Sequence, residues 1–273
     1  MKKIVFIFLI ILALIFMYYY HTYYKFYRKI YYKEDYLIEN QRKYLKNVKV
    51  NDIKNPFFQT YYNKSKIPKD IYSNISKYAS DYTHIIMDDN DIKNFLKKYY
   101  TDIVFKTFDS LKNGAHKADL ARYCILYIYG GIYMDIKVEL LKPISYIFNK
   151  GDDVFYTVDS VVKDTVHQGI LKSPKNNPIF LSLIDYIVMT QNPFRYADFC
   201  RDLYIQIEND TSVIKQGLSI GKSGNKYYFF QEKCSSTDSS MCYDGFDRYG
   251  LCCFVWDGNI PVIKLRRSSY PWK

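Results

Sequence analysis

The sequence lacks several patterns that would assign it to a class of protein at once. Its six cysteines contain no C-x2-C pair of the kind that builds a zinc site. It has no internal repeat and no long low-complexity linker. What remains is a chain of 273 residues, of which 48% are hydrophobic. This length and composition suffice for one large domain with a packed core.

A phosphate-binding P-loop is also absent, although one segment comes near it. Residues 217–224 read GLSIGKSG, but a P-loop needs four residues between its first glycine and the Gly-Lys pair. Here three residues separate Gly217 from Gly221, and no clear helix pattern follows. We therefore do not expect this segment to be a P-loop.

The N-terminal region carries a long hydrophobic run, IVFIFLIILALIFMYYY, at residues 4–20. Its 17 residues lie at the short end of the length that spans a membrane, and the tyrosines at its end suit the interface. No small-x-small cleavage site follows, which argues against a cleaved signal peptide. We therefore expect residues 1–22 to form a transmembrane signal-anchor.

The net charge of +11 is concentrated beside this run. Residues 1–50 hold ten Lys or Arg and three Asp or Glu, whereas residues 51–273 hold 29 and 25. Basic residues beside a membrane span more often meet lipid head groups than nucleic acid. The sequence thus predicts a basic stem over residues 23–50 and a membrane, not nucleic acid, as its partner. Because basic residues also precede the run, the positive-inside rule leaves the orientation open.

The last 40 residues hold four of the six cysteines, which are Cys234, Cys242, Cys252 and Cys253. In a lumenal compartment they predict a disulfide-tied C-terminal region, while reduced buried thiols are the alternative. Glycosylation sequons at Asn63, Asn74 and Asn209 fit a lumenal domain, although an Asn-rich chain acquires two or three by chance. The expected arrangement is a type II single-pass protein with its domain in an ER- or Golgi-like lumen.

From about residue 51 the pattern alternates between strands and helices. We expect a strand at Thr83–Met87, a helix from near Asp91, a helix over 113–129, a strand over 132–138 and a helix within 177–190. Such alternation is typical of an α/β domain with a mainly parallel sheet, and the C-terminal third looks β-rich. Residues 51–273 are therefore predicted to form one domain.

The segment KADLARYCILYIYGGIYMDIKVEL, residues 117–140, carries the most specific signal. Asp119 and Arg122 are three residues apart and so share a helix face. The helix has no charge beyond Arg122, which predicts that its C-terminal half is buried, and Gly130 would end it as a left-handed cap. In the strand that follows, alternation places Asp135 and Lys137 on one face.

Helix and strand geometry predicts that these charges meet. Measured from the Gly-Gly turn, Asp119 lies roughly 16 Å and Arg122 roughly 12 Å along the helix. Asp135 lies roughly 13 Å along the strand. If the two elements pack antiparallel, the three charges converge at the open end of the sheet, where α/β sheets bind ligands. The alternative is a salt bridge between Asp119 and Arg122 beside an unrelated acid.

The spacing D-x-x-R, then Y-x-x-G-G-I-Y-x-D, resembles the glycosyltransferases with a DXD-containing sugar-binding region. That family includes initiating α-1,6-mannosyltransferases and sphingolipid mannosyltransferases. Upstream, Gln59 and Thr60 stand where the family has H-Q-T, although Phe58 replaces the histidine. The segment MDDNDIKNFL is similar to the family's acidic turn and helix. HQGILKSPKNNPIF resembles its acceptor side, where His167 and Gln168 are candidates to face the acceptor.

The resemblance implies a GT-A fold, a Rossmann-like mixed sheet flanked by helices, and a retaining hexose transfer from a GDP- or UDP-sugar to a glycan, lipid or protein acceptor. It implies that Asp119 and Arg122 bind the donor sugar. Asp135 would contact the ribose and a divalent metal, Mn²⁺ or Mg²⁺. The other substrate-binding residues that we predict are Gln59, Thr60, Gly131, Tyr133 and His167.

Lys137 departs from the family pattern because it occupies the second acidic position of the DXD motif. An ammonium group cannot ligate a hard cation. Lys137 would itself neutralise the diphosphate, or Asp135 would hold the metal with waters and an acid such as Glu139, or catalysis would be lost. We therefore predict Asp135 and Lys137 as the catalytic pair. The alternative function is an inactive sugar-nucleotide or glycan-binding protein that kept the fold.

Overall fold

The computed structural model describes residues 36–46, 50–190, 197–235 and 252–265, together with residues 11, 12, 15 and 18. Apart from those four residues, the predicted signal-anchor at 1–22 lies outside the described residues, and so does most of the stem at 23–50. Within the stem, Tyr36–Lys46 forms helix α1. No helix among the described residues is long and apolar enough to cross a membrane. The chain divides into two compact units, Met1–Lys43 and Tyr44–Lys273.

The second unit is a mixed α/β structure. Its helices are α2 (Lys69–Tyr78), α3 (Asp89–Tyr99), α4 (Asp102–Ser110), α5 (Gly114–Tyr129), α6 (Ile144–Ile147), α7 (Pro178–Thr190) and α8 (Asp198–Thr211). Its strands are β1 (Pro56–Thr60), β2 (Thr83–Met87), β3 (Gly131–Met134), β4 (Val138–Leu140), β5 (Val154–Asp159), β6 (Ile170–Ser173), β7 (Gly217–Ile220), β8 (Lys226–Ser235), β9 (Cys252–Asp257) and β10 (Ile260–Leu265).

The described strands form one sheet in the order β2-β1-β3-β6-β5-β8-β9-β10-β4, with β7 added beside β8. Parallel pairs join β1 to β2 and β3, and β5 to β8. β6 is antiparallel to both β3 and β5, and β8, β9, β10 and β4 follow one another antiparallel. The mixed sheet of our prediction is confirmed. The expectation of a mainly parallel sheet is wrong, because β6 and the C-terminal strands run antiparallel.

The two faces of the sheet are covered by different helices. On one face, α2 packs Ile71 and Ile75 against a core that includes Ile132 and Met134 of β3. Helix α5 contacts β1, β3 and α7. Its residues 123–126 are each fully buried, as the absence of charge predicted. Burying one large apolar side chain contributes about 1.5–3 kcal/mol, so α5 is held firmly against the sheet.

Two glycines make the turn from α5 into β3. Gly130 has φ 64° and Gly131 has φ 84°, conformations that side chains disfavour. A Cβ atom on Gly130 would lie 2.6 Å from the Lys175 amide nitrogen, and one on Gly131 would lie 2.5 Å from the Pro56 carbonyl oxygen. Helix α5 ends before Gly130 as predicted. The left-handed cap is wrong, because Gly130 has ψ −153° and leads straight into the strand.

The strand predicted over residues 132–138 is interrupted. β3 ends at Met134, and a turn follows in which the Val138 amide donates to the Asp135 carbonyl at 3.0 Å. β4 then begins at Val138 and pairs with β10. Asp135 therefore lies at the carboxyl end of β3, and Lys137 lies within the turn.

Two helices differ from the sequence prediction. Helix α3 begins at Asp89, because Asp88 caps it by accepting from the amides of Asn90 and Asp91. Helix α4 follows α3 directly and was not predicted.

In the C-terminal part, Cys234 of β8 and Cys253 of β9 form a disulfide bond. Cys124 and Cys200 are free thiols.

Candidate active site

Arg122 joins two acids at the carboxyl end of β3. Its Nη2 atom lies 3.2 Å from Asp119 Oδ1 and 3.1 Å from Asp135 Oδ1. Its Nε atom donates to the carbonyl of Ala118 at 3.1 Å, and its guanidinium stacks 4.7 Å from the centre of the Tyr133 ring. The helix face and the strand end thus bring together the three charged residues that the sequence singled out.

Asp135 is held by further contacts from β1 and β3. The Tyr133 hydroxyl donates to Asp135 Oδ1 at 3.0 Å and lies 2.8 Å from Thr60 Oγ1. Gln59 Nε2 donates to the Asp135 carbonyl at 3.4 Å. β1 and β3 are parallel neighbours, so Gln59 and Thr60 end beside Asp135. The structure therefore brings three more predicted residues, Gln59, Thr60 and Tyr133, to the cluster.

His84 extends this support and was missed by sequence reasoning. Its Nε2 atom lies 2.9 Å from Gln59 Oε1. Because the Gln59 amide nitrogen donates to Asp135, its oxygen must accept, and His84 therefore carries its proton on Nε2. Burial lowers the pKa of His84 to about 4, which keeps the ring neutral at ordinary pH. Only the register of β1 with β2 makes this pair, and local sequence does not reveal it.

The two acids differ in their exposure. The side chains of Asp119 and Arg122 are 7% and 4% exposed, whereas that of Asp135 is 39% exposed. Asp135 is thus the member of the cluster that a ligand reaches most readily. Its Oδ1 atom already accepts from Arg122 and Tyr133, which leaves Oδ2 for a ligand.

Arg122 Nη2 pairs with the carboxylates of both Asp119 and Asp135, and this arrangement shifts the pKa values of Asp119 and Arg122. Burial raises the pKa of Asp119 to about 7, against the opposing effect of Arg122 and with a further rise from Asp135. Burial alone would lower the pKa of Arg122, but Asp135, Tyr133 and Asp119 raise it above its usual range. The guanidinium therefore stays charged, while the Asp119 carboxyl ionises close to neutral pH.

Residues 167–169 approach the cluster from the start of β6. The Gly169 carbonyl accepts from the Asp135 amide at 2.8 Å. A Cβ atom built on Gly169 would meet both Asp135 Oδ2, at 2.5 Å, and His167 Cε1, at 2.7 Å. His167 therefore lies beside the exposed carboxylate, and its Nδ1 atom is buried without a hydrogen-bond partner.

Gln168 connects the cluster to α5 and α8. Its side chain is hydrogen-bonded to Asp119. Its Oε1 atom accepts from the Tyr123 hydroxyl, and its Nε2 atom donates to Cys200 Sγ at 3.2 Å. Burial, together with the nearby Asp119, raises the pKa of the Cys200 thiol to about 12. The family resemblance makes Gln168 a candidate for the acceptor side, and no local pattern in the sequence reveals these partners.

Two predicted residues stand apart from this arrangement. Gly131 lies at the amino end of β3, against Pro56, whereas Asp135 follows the other end. A substrate-binding role for Gly131 therefore does not fit, and its packing against β1 explains the glycine. Lys137 is half-buried in the turn after Asp135, not on the strand face that we predicted.

A divalent cation finds few ligands here. Within the part of the chain that the structure describes, Asp135 belongs to no group of three neighbouring metal-ligating side chains. Glu139 lies on β4, opposite Lys264 of β10. Mn²⁺ and Mg²⁺ take about six oxygen ligands, and the residues present offer chiefly Asp135 Oδ2. They do not fit a metal site built by the protein alone.

The segment that resembles a P-loop, residues 217–224, contacts an acidic side chain of the protein itself. Its turn wraps the Asp210 carboxylate, which accepts from the Ser223 amide at 2.8 Å and from the Ser223 hydroxyl at 2.5 Å. A Cβ atom on Gly221 would overlap the Asp210 carboxylate. The segment thus binds a carboxylate of its own chain.

Comparison with known proteins assigns the region around these charges. Residues 65–159 match the family described as glycosyltransferase sugar-binding region containing DXD motif. This part of the chain is therefore similar to the sugar-binding region of that glycosyltransferase family. The matched region contains Asp119, Arg122, Asp135 and Lys137, so the charged cluster lies inside the segment that defines the family.

Several known proteins are similar to parts of this chain. An uncharacterized glycosyltransferase of Acanthamoeba polyphaga mimivirus is 30% identical over 123 residues, 44% of this chain and 48% of that protein. The initiation-specific alpha-1,6-mannosyltransferase of Saccharomyces cerevisiae is 39% identical over 69 residues, 24% of this chain and 14% of that enzyme. Inositol phosphoceramide mannosyltransferase 1 of Schizosaccharomyces pombe is 25% identical over 156 residues, 53% of this chain and 48% of that enzyme.

The chain thus spans about half, or less, of the length of these relatives. Among solved structures, the PaToxG glycosyltransferase aligns with a TM-score of 0.44 and 17% identity. The alignment covers 66% of this chain and 77% of the other.

Proposed function

We propose that the protein is a glycosyltransferase that moves a hexose from a nucleotide-sugar to a glycan, lipid or protein acceptor. The single observation that carries this proposal is the ion-paired cluster of Asp119, Arg122 and Asp135 at the carboxyl end of β3. The matched family region and the mannosyltransferase relatives support a GDP- or UDP-linked donor. The GT-A fold, retention of configuration and a lumenal, membrane-anchored setting remain part of the same proposal.

Each residue of the cluster receives a role from its exposure and partners. Asp135 contacts the donor through Oδ2, because its side chain is the exposed one. Asp119 and Arg122 lie deeper and bind hydroxyl groups of the donor sugar. Tyr133, Thr60 and Gln59 hold Asp135 in place, and His167 lines the exposed side of its carboxylate.

The reaction needs positive charge at the leaving diphosphate. As the glycosidic bond breaks, negative charge develops on the diphosphate, and a cation placed there stabilises the transition state. Members of this family generally use a divalent metal for this purpose. Lys137, two residues beyond Asp135, adds a positive charge that the DXD pattern lacks. We infer that Lys137 supplies part of the charge and that metal dependence is reduced.

A donor screen tests the proposal. The full chain is mixed with UDP- and GDP-sugars, with and without Mn²⁺, and thermal stabilisation and nucleotide release are measured. We expect one sugar nucleotide to stabilise the protein and to be turned over. Asp135→Ala should reduce turnover by about a hundredfold or more, a loss typical of a removed charge-stabilising group.

The matched control is Asp52→Ala, because Asp52 pairs with Lys175 on the surface. Wild-type turnover in Asp135→Ala would remove Asp135 from the site. Tight sugar-nucleotide binding without turnover on any acceptor would favour the alternative, an inactive binding protein, for which Lys137 at the second DXD position is the supporting observation.

A further inference from the structure

Gln168 is buried, and every polar atom of its amide is used. It is 4% exposed. Its oxygen accepts from the Tyr123 hydroxyl, and its nitrogen donates to Cys200 Sγ at 3.2 Å. A hydrogen bond from the Gln168 side chain also opposes the rise in the pKa of Asp119. A primary amide has two N–H groups, so these partners fix its orientation. The Asp119 carboxylate is therefore held from both sides, by Gln168 and by Arg122.

Gly169 sets the space for the second acid. Its carbonyl accepts from the Asp135 amide at 2.8 Å, and its Cα faces the Asp135 carboxylate. A Cβ atom would lie 2.5 Å from Asp135 Oδ2 and 2.9 Å from Asp135 Cγ, distances at which the carboxylate must move. The backbone of Gly169 has no positive φ. Space, not conformation, therefore requires a glycine at this position.

We propose that Gln168 and Gly169 are positioning residues for sugar-nucleotide binding, with Gln168 orienting Asp119 and Gly169 placing Asp135. This inference rests on the proposed function. The two neighbours immediately precede β6, which runs antiparallel to β3 and pairs with it as far as Met134 and Ile170. The bond from the Asp135 amide to the Gly169 carbonyl extends this pairing by one residue. Arg122 can pair with both acids only if each carboxylate stays within reach of its guanidinium. Gln168 and Gly169 stabilise these two positions of the carboxylates.

The two residues should affect different parts of the donor. Gln168→Glu keeps the size of the side chain and the oxygen that accepts from Tyr123, but it places a second carboxylate against Asp119. We expect sugar-nucleotide binding to weaken at least tenfold, while free UDP or GDP binds as in the wild type, because Asp119 acts on the sugar. Gly169→Ala displaces Asp135, so we expect it to weaken sugar-nucleotide and free-nucleotide binding alike, also at least tenfold.

Calorimetry of the full chain with each nucleotide and its sugar conjugate measures this pattern. Gln216→Met is the matched control for position 168, because Gln216 makes one amide hydrogen bond at the surface, to the Trp256 carbonyl. Gly114→Ala is the control for position 169, because nothing lies within 4 Å of its Cβ position. If Gln168→Glu does not fold, Gln168→Met serves instead, because it removes the hydrogen bond to Asp119 without adding a charge. We expect it to weaken sugar-nucleotide binding and to leave the binding of free UDP or GDP unchanged.

The outcomes separate this inference from the proposed function. Wild-type protein that binds no sugar nucleotide would overturn both. Wild-type binding that Gln168→Glu and Gly169→Ala leave unchanged would overturn the positioning roles alone. Equal losses for free and conjugated nucleotide in the Gln168 variants would also overturn the role of Gln168, because a general structural defect does not distinguish the sugar. For Gly169→Ala, an unfolding midpoint well below that of Gly114→Ala would overturn the positioning role, because the Cβ atom meets side-chain atoms, among them the exposed Asp135 carboxylate, and should leave the fold intact.

Discussion

At the scale of single residues, Arg122 shows how a buried charge is kept. It is 3% exposed, and burial of an unpaired guanidinium would be costly. Two carboxylates, the Ala118 carbonyl and the Tyr133 ring surround it. If both acids are ionised, this cluster carries one excess negative charge. A diphosphate that approached it would add to that excess, which is why the identity of residue 137 matters.

Lys137→Asp restores the second acid of the DXD pattern and tests the charge supplied by Lys137. We expect lower turnover without metal, because the cation near the diphosphate is lost, and a stronger stimulation by Mn²⁺, because a second carboxylate adds a hard ligand. Turnover against Mn²⁺ concentration, with a chelator as the zero point, measures both effects. An unchanged metal response would show that Lys137 does not act at the diphosphate.

The pKa of Asp119 makes stability depend on pH. In the folded protein this pKa is raised to about 7 by burial, whereas an unfolded aspartate ionises near about 4. Between these values the folded state holds a proton that the unfolded state has lost. The free energy of unfolding should therefore fall as pH rises from about 4 to about 7 and level off above that.

Asp119→Asn removes the ionising group and should flatten this slope. Urea unfolding of both proteins at several pH values between 4.5 and 8 measures the difference. Parallel curves for the two proteins would contradict a raised pKa at Asp119.

At the scale of elements, the unit formed by α5, Gly130-Gly131 and β3 aligns the cluster. Both glycines have positive φ and backbone atoms within about 3 Å of the Cβ position. The turn therefore fixes how far α5 lies from β3, and with it the reach of Arg122 to Asp135. A substitution at this turn should lower the free energy of unfolding strongly and should alter the geometry of Asp119, Arg122 and Asp135 less.

Gly130→Ala should destabilise the protein by about 2 kcal/mol or more, because it combines a strained φ with a contact of 2.6 Å to the Lys175 amide. Gly114→Ala is the matched control, since Gly114 is the first residue of α5 and its Cβ position is open. That change should be neutral or slightly stabilising. Chemical denaturation compares the two, and equal stabilities would show that the turn tolerates a side chain.

Local pattern predicted the parts of the site that lie on single elements. The spacing of Asp119 and Arg122 on α5, the buried half of that helix and the position of β2 were correct. The break after Met134 was not predicted, because the apolar alternation continues through Ile136 and Val138, which are both in the core. Partners such as His84, Gln168 and Gly169 depend on strand register and on an antiparallel β6, and neither follows from spacing along the chain.

At the scale of the whole molecule, the direction of strand pairing in the sheet changes from parallel at one end to antiparallel at the other. Its β2-β1-β3 part is parallel and carries the cluster, while β8, β9, β10 and β4 are antiparallel. The disulfide between Cys234 and Cys253 lies in this second part, across the β8–β9 pair. Stability of the C-terminal strands is therefore linked to the redox state of the surroundings.

A variant with Cys234→Ser and Cys253→Ser should unfold at lower denaturant than the wild type. The bond closes a loop with a sequence separation of 19 residues, and a disulfide of this span contributes about 3 kcal/mol. Denaturation in oxidising buffer measures the loss, and reductant should lower the stability of the wild type more than that of the variant. Equal midpoints in oxidising buffer would show that the bond contributes nothing to stability.

The guanidinium of residue 122 has a consequence for protein engineering. One planar group meets two acids, a carbonyl and an aromatic ring at once. A lysine has a single terminal nitrogen and no flat surface to stack, so it cannot replace all of these contacts. Swapping arginine for lysine here is therefore a drastic change, even though the formal charge is preserved.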